Sequence, residues 1–208
     1  MSELDPIARF CSEASLPWDE ERRRHMARYL DLLEEFNRSM NLIGPMDRPA
    51  IVEELLLDSL VAAAARPVKG SILDVGTGAG LPGIVLKIIY PEAPLTLVEP
   101  RQKRSTFLKI ATHRLGLEEV TIFRGRIEEF DDELFDFVIS KAFRPPLQWL
   151  ETAAPYVADD GAMICMGRES NRQELTAKAT ELEFQLAGES SIGEPSPQRR
   201  VCFAFERR

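Results

Sequence analysis

The segment Asp74-Val75-Gly76-Thr77-Gly78-Ala79-Gly80-Leu81-Pro82-Gly83 places an acid at the end of an apolar run and three glycines at alternate positions after it. Each missing Cβ lets the backbone turn sharply or lets a ligand lie against it, which is the chemistry of a loop that cradles a nucleotide-like molecule. Pro82 suits the first turn of a following helix, where a missing N–H is no loss. The unit reads as strand, glycine loop, helix. An empty glycine-rich turn is the competing reading, and the apolar strand directly before three alternating glycines weighs against it.

Gly78 to Gly83 satisfies the G-x-G-x-x-G spacing of a dinucleotide site, which holds a pyrophosphate on a helix N-terminus. The wider pattern, Asp-x-Gly-x-Gly-x-Gly, resembles motif I of the S-adenosylmethionine-dependent methyltransferases. Asp74 would repel a pyrophosphate, whereas S-adenosylmethionine carries no phosphate and its ammonium could be met by an acid, directly or through water.

Elements must bring the remaining candidates to this loop. From Gly70 the chain alternates: strand 71–75, helix 82–90, strand 95–99, helix 101–115, strand 120–124, strand 135–141, helix 146–157, strand 162–166, helix 169–183. Two closing strands, 184–189 and 201–206, follow, joined through a turn at Gly193-Glu194-Pro195-Ser196-Pro197. This is α/β: a doubly wound, mostly parallel, Rossmann-like sheet. Residues 1–69 read as an N-terminal helical extension, with helices over about 17–37 and 48–65, and residues 70–208 as the methyltransferase-type domain.

Ligands of such sheets sit beyond the carboxyl ends of the strands. Glu99, ending the second strand, is placed to accept from ribose hydroxyls, or simply to cap the next helix. Ile127 and Glu128, after the third, suit an adenine ring, or form a solvated turn. Lys141, ending the fourth, faces the reacting centre, or is a surface lysine. Met166 ends the fifth strand as core.

Composition bounds the rest. The chain has 208 residues, 44% hydrophobic and 29% charged, as in ordinary globular proteins. No apolar run is long enough to cross a bilayer, and the acidic start Met1-Ser2-Glu3-Leu4-Asp5 has no leader pattern, so the expectation is a cytoplasmic protein without a membrane partner. Three scattered cysteines and two histidines exclude a zinc or disulfide framework, and Cys165 and Cys202 read as core thiols. A net charge of -8 argues against a surface that grips nucleic acid throughout. Yet Arg101, Lys103, Arg104, Lys109, Arg114, Arg124 and Arg126 stand against Glu118 and Glu119 alone, a local basic face that could meet phosphates or only solvent.

Several segments together resemble the bacterial small-subunit rRNA guanine-N7 methyltransferases, the glucose-inhibited division protein B family. They are Tyr29-Leu30-Asp31-Leu32-Leu33 through Asn37 with Met40-Asn41-Leu42, Leu57-Asp58-Ser59-Leu60, the glycine loop extended by Leu81-Pro82-Gly83-Ile84, Lys103-Arg104-x-x-Phe107-Leu108, Arg126-Ile127-Glu128-Glu129, Phe135-Asp136-x-Val138-Ile139-Ser140-Lys141-Ala142-Phe143 and Arg199-Arg200. The resemblance spans about Tyr29 to Phe205. It implies S-adenosylmethionine contacts at Gly76, Leu81, Ile127, Glu128 and Lys141, to which the residue reading adds Gly78 and Glu99. It implies as substrate one guanine near the decoding region of 16S rRNA, met free or in the 30S subunit or an assembly intermediate. Arg101, Lys103, Arg104, Arg144, Arg168, Arg199 and Arg200 are the substrate-binding candidates, and the expected state is a monomer.

The chain departs from the family pattern at Lys141 (commonly Arg), Met166 (commonly Lys), Ile43 (Thr or Ser) and Glu54-Leu55-Leu56 (Arg-His-Phe). Lys141 keeps the charge but not a planar fork. Arg168 or Arg144 could replace the cation missing at Met166. Guanine N7 offers a lone pair and no proton, so no obligatory catalytic base is expected. Other readings are a methyltransferase of the same fold with a different substrate, a cofactor-binding ribosome-associated module without catalysis and, more remotely, an NAD-dependent oxidoreductase lacking an evident hydride-transfer set.

Overall fold

The computed structural model describes residues 3–131, 133–194 and 196–208. Met1, Ser2 and Pro195, on which the reading of the N-terminus and of the closing turn partly fell, lie outside them. Seven strands form one sheet: β1 (Ile72–Val75), β2 (Leu95–Val98), β3 (Val120–Phe123), β4 (Phe135–Ile139), β5 (Val157–Arg168), β6 (Phe184–Ser191) and β7 (Arg200–Arg207). Their order is β3-β2-β1-β4-β5-β7-β6. The first five run parallel, and β7 is antiparallel to both of its neighbours. The strand order reverses between β1 and β4, the place where open α/β sheets bind ligands.

Successive strand residues face opposite layers, as the period of two requires. Ile72, Phe137, Ile139, Ala162 and Ile164 enter one core, while Leu73, Val75, Val138, Met163 and Cys165 enter the other. The first core is covered by α5 (Gly83–Ile89), α6 (Gln102–Leu115) and the N-terminal helices, and the second by α7 (Pro146–Ala153) and α8 (Arg172–Glu181). Both faces of the central strands are thus dry, which explains their apolar runs, while the outer strands β3 and β6 are partly exposed.

The N-terminal region is helical as expected, with α1 (Asp5–Glu13) as an additional element. Helix α2 (Glu20–Met40) starts where the Asp19 carboxylate accepts from the Arg22 N–H at 2.8 Å and ends at Asn41, whose φ of 51° is left-handed. The helix expected over 48–65 is one helical run in three parts: α3 (Arg48–Ala50), a π-helical stretch Ile51–Leu57, and α4 (Asp58–Ala65). Widened turns of this kind are rare and concentrate near functional sites. Strand β5 is longer than expected at both ends: Val157 pairs with Phe135 of β4 at its start, and β7 pairs with its end as far as Arg168 opposite Arg200. The helix expected over 169–183 accordingly starts later, at Arg172.

Helix α2 does more than cover the sheet. Tyr29 is fully buried, and its hydroxyl donates to the Ala79 carbonyl at 2.7 Å, inside the glycine loop. Tyr29→Phe strands that buried carbonyl and is expected to lower stability by about 1–3 kcal/mol, as read by urea melts. Unchanged values would reduce Tyr29 to core filling.

Candidate active site

The glycine loop leaves β1 and turns back into α5 around one carboxylate. Asp74 is completely buried. Its Oδ2 accepts from the Thr77 hydroxyl at 2.6 Å and from the Gly83 N–H at 2.8 Å. Oδ1 is buried without a hydrogen-bond partner. The expectation that Asp74 meets a ligand ammonium therefore gives way to a structural role: its side chain points into the turn and ties the start of the loop to the start of α5. Burial is the main cause that pushes its pKa up to about 7 from the ordinary 3.8, with the Thr77 and Gly83 bonds acting the other way.

The glycines are needed for distinct reasons. Gly76 has φ 68°, and a Cβ there would lie 2.6 Å from the Phe143 ring. A Cβ at Gly83 would strike Leu97 at 2.6 Å and Asp74 at 2.8 Å, so this residue permits the close approach of α5 to the sheet.

Glu99 follows β2 and is 2% exposed. Its Oε2 accepts from the Gly78 N–H at 3.0 Å and its Oε1 from the Arg101 N–H at 2.8 Å. The capping role read from the sequence is thus observed, since the side chain steadies the start of α6, and each oxygen keeps acceptor capacity beyond these bonds. Arg104 lies beside it, with Nη1 3.9 Å from Oε2 and 3.6 Å from the Cβ position of Gly78. After β3, Ile127 is buried at the start of a single 3₁₀ turn, its carbonyl held at 2.9 Å by the Tyr156 hydroxyl. Exposed Glu128 pairs with Arg144. These two, with Gln148, Thr152 and Tyr156, border an open groove of about 560 Å3. The Arg144 guanidinium stacks on the Phe143 ring with its carbon 4.9 Å from the centroid, and Phe143 meets Trp149 edge-on at 6.4 Å.

Lys141 follows β4. Its Nζ lies 2.7 Å from Asp58 Oδ2 and donates to the Glu54 carbonyl at 3.0 Å. Arg200 reaches the same Asp58 oxygen at 3.5 Å. Together they border a cavity of about 450 Å3 with Glu53, Met166, Gly167 and Cys202. Met166 is half-buried on this wall, rather than in the closed core where the sequence placed it. Arg168 and Arg200 are cross-strand partners on the rim, and Arg199 is held by Glu169 at 2.9 Å. Sequence reasoning missed Tyr29 and Asp58 as site residues. The signal for Asp58 was there: an acid inside the apolar run Leu55-Leu56-Leu57-Asp58-Ser59-Leu60-Val61.

Comparison with known proteins decides the family. The family described as GidB, rRNA small subunit methyltransferase G, matches residues 22–202. The chain belongs to it. Relatives named "Ribosomal RNA small subunit methyltransferase G" include one from Chromohalobacter salexigens, 37% identical over 83% of this chain and 84% of its own length. Another, from Methylobacillus flagellatus, is 38% identical over 73% of this chain and 74% of its own length. Among solved structures, TYW2 of M. jannaschii in complex with AdoMet superposes with a TM-score of 0.61 at 16% identity, covering 79% of this chain and 80% of that one. The ribosomal protein L11 methylase of Lactobacillus delbrueckii subsp. bulgaricus gives 0.60 at 16% identity, covering 74% and 79%. At this identity they share the fold. Family and fold together make the chain an S-adenosylmethionine-dependent methyltransferase.

The site residues fit that cofactor. A bare-backbone loop, a carboxylate and an apolar residue followed by an acid succeed one another at the ends of β1, β2 and β3.

Two outcomes test this geometry. Between about pH 4 and 7 the folded chain holds a proton on Asp74 that the unfolded chain has released, so this group makes stability fall as pH rises through that window and level off above it. Asp74→Asn keeps a carbonyl acceptor and is expected to flatten that slope, while Asp74→Ala costs roughly 2–3 kcal/mol at all pH values by stranding two donors; urea melts at pH 5 and 8 report both. Gly76→Ala is expected to weaken S-adenosylmethionine binding at least about tenfold, the equivalent of roughly 1.4 kcal/mol. Adding Phe143→Ala should recover the steric part of the loss and leave the cost of positive φ. Wild-type affinity in Gly76→Ala, measured by calorimetry, would refute the loop assignment.

Proposed function

We propose that this methyltransferase modifies N7 of one guanine in 16S rRNA, presented free or within the 30S subunit or an assembly intermediate. The family supports this reading, and so does one structural observation: nine of the 26 Lys and Arg residues lie on the edge of the sheet that carries the glycine loop. Arg101 and Lys103 follow β2, Arg124 and Arg126 follow β3, Lys141 and Arg144 follow β4, Arg168 ends β5, and Arg199 and Arg200 open the antiparallel β7. Arg101, Lys103, Arg124, Arg126, Arg168 and Arg200 are exposed. Arg101 and Lys103 also sit at the N-terminus of α6, whose first turn holds no acid. Cations there oppose the helix dipole, so the arrangement serves something other than stability. A phosphate backbone approaching this edge meets cations although the chain as a whole carries -8.

In the proposed complex, Gly76, Gly78 and Leu81 lie along the methionine part of S-adenosylmethionine, Glu99 accepts from the ribose hydroxyls, and Ile127 and Glu128 flank the adenine. Lys141 stands where methyl donor and base meet. The cofactor supplies an electrophilic methyl on a sulfonium. Guanine N7 attacks it without losing a proton, so the protein's contribution is to hold the two partners in line. No base is required of the side chains. The protein would act in the cytoplasm, where unmodified ribosomal particles are available.

The direct test incubates the protein and labelled S-adenosylmethionine with 16S rRNA and with 30S particles lacking the modification, then maps the modified nucleotide. The expected result is a single N7-methylguanosine. Bound cofactor with no transfer to either RNA would sink the reading in favour of a non-catalytic module. Arg101→Ala with Lys103→Ala is expected to weaken RNA binding about tenfold at moderate salt, lower the slope of log K against log salt by about 2, and leave cofactor affinity unchanged. An unaltered salt slope would make the basic edge plain surface.

A further inference from the structure

The cavity beside Lys141 holds a charged pair arranged as a donor next to an acceptor. Asp58 is 8% exposed, and it opens α4 directly after the π-helical stretch. The side chains of Lys141 and Asp58 are only 17% and 11% exposed. Lys141 is fixed from two sides, by Asp58 Oδ2 and by the Glu54 carbonyl. Arg200 approaches the same oxygen. Both described cations therefore engage Oδ2, while the carboxylate as a whole borders about 450 Å3 of cavity floored by Met166 and Cys202. A cavity of this size accommodates a flipped-out base.

We propose that this pair reads the target base, with the Lys141 ammonium donating to guanine O6 and the Asp58 carboxylate accepting from guanine N1–H and the 2-amino group. The inference rests on the methyl-transfer reading above and names the residues that choose the base. Guanine carries, side by side, the acceptor O6 and the donors N1–H and N2–H2. A lysine next to an aspartate offers the complementary order. Adenine and cytosine present a donor to Lys141 and an acceptor to Asp58, so both contacts become repulsive. Uracil matches the first two positions but sets O2 against the carboxylate. Low exposure of the pair makes each mismatch costly, because a donor set against a donor, or an acceptor against an acceptor, has little water to turn to there.

The same contact favours the reaction. The N7 lone pair forms the bond to the methyl carbon, the carbon–sulfur bond breaks, and its electron pair goes to sulfur. The base becomes cationic, and N1 keeps its proton. Positive charge spreads over the ring and strengthens the N1–H donor, so the hydrogen bond to Asp58 is stronger in the transition state than in the bound substrate. N7 lies on the far side of O6 from N1, so a base held by this edge leaves N7 uncovered.

The test places inosine, which lacks only the 2-amino group, at the target position of 16S rRNA assembled into 30S particles. Wild-type protein should methylate guanine with a kcat/KM about tenfold to hundredfold above inosine. Asp58→Ala, which removes both acceptor oxygens, should stay folded in urea melts, lose a similar factor on guanine, and bring the guanine-to-inosine ratio close to one. Equal rates on guanine and inosine with the wild-type protein would overturn the inference without recourse to any variant, as would a folded Asp58→Ala protein that keeps the full ratio. Failure of the underlying reading has a different appearance: wild-type protein with bound cofactor then transfers no methyl to guanine at all, and the base-reading role falls with it.

Discussion

The buried Asp74 carboxylate is the constraint on which the site depends. One oxygen receives both the Thr77 hydroxyl and the Gly83 N–H, and this closes the turn between β1 and α5. The loop can then expose bare backbone on its outer side because its inner side is already hydrogen-bonded. Tyr29 adds a second hold from α2 through the Ala79 carbonyl, and Glu99 a third through the Gly78 N–H. A carboxylate in so dry a place favours its protonated form, and the turn it organises is the one proposed to cradle the cofactor. The helical extension is part of this arrangement, since residues from Leu4 to Leu42 share one core with Ile72, Ile84 and Phe107.

A second tie joins that extension to the reacting end of the sheet. The wide π-helical turn leaves the Glu54 carbonyl available to Lys141, and Asp58 follows at the start of α4. Lys141 bridges the two and so connects β4 with the helices before β1. An ion pair this poorly exposed adds little to stability on balance, because desolvating two charges consumes most of their attraction. Its value lies in orientation: it presents a fixed donor and a fixed acceptor to a cavity. The resemblance read from the sequence implies departures from the family pattern at Lys141, Met166 and Glu54-Leu55-Leu56. The structure puts three of those positions, Glu54, Lys141 and Met166, on the same wall.

Charge follows the same geometry. The chain is acidic as a whole, yet a group of cations lies beyond the carboxyl ends of the parallel strands and at the start of β7. Several members of the basic cluster do other work. Arg114 pairs with Glu35 across α6 and α2, and Arg104 leans on Glu99. Arg101 and Lys103 remain exposed at a helix end that would be better served by acids.

Much was legible in the chain alone. Alternating strands and helices, apolar runs of strand length and the Asp-x-Gly-x-Gly-x-Gly loop determined a doubly wound sheet and placed Glu99, Ile127, Glu128 and Lys141 at strand ends, because local periodicity and glycine's freedom act over a few residues. What lay beyond reach depended on contacts between distant segments. Asp74 read as a ligand for an ammonium, and only the packing of α5 against β1 turned it inward onto Thr77 and Gly83. Tyr29 read only as the start of a helical stretch that carries the family resemblance; its hydroxyl acquired a partner fifty residues away when α2 docked on the loop. Asp58 stood out as an acid in an apolar run, but its meeting with Lys141 and Arg200 spans more than eighty residues of chain and exists because β7 returns antiparallel beside β5. The sequence by itself determined which elements form and which residue types end each strand, since those are local matters of sterics and burial. The tertiary structure decided which of those side chains face each other, since a charge or hydroxyl finds its partner only after the core has excluded water around both.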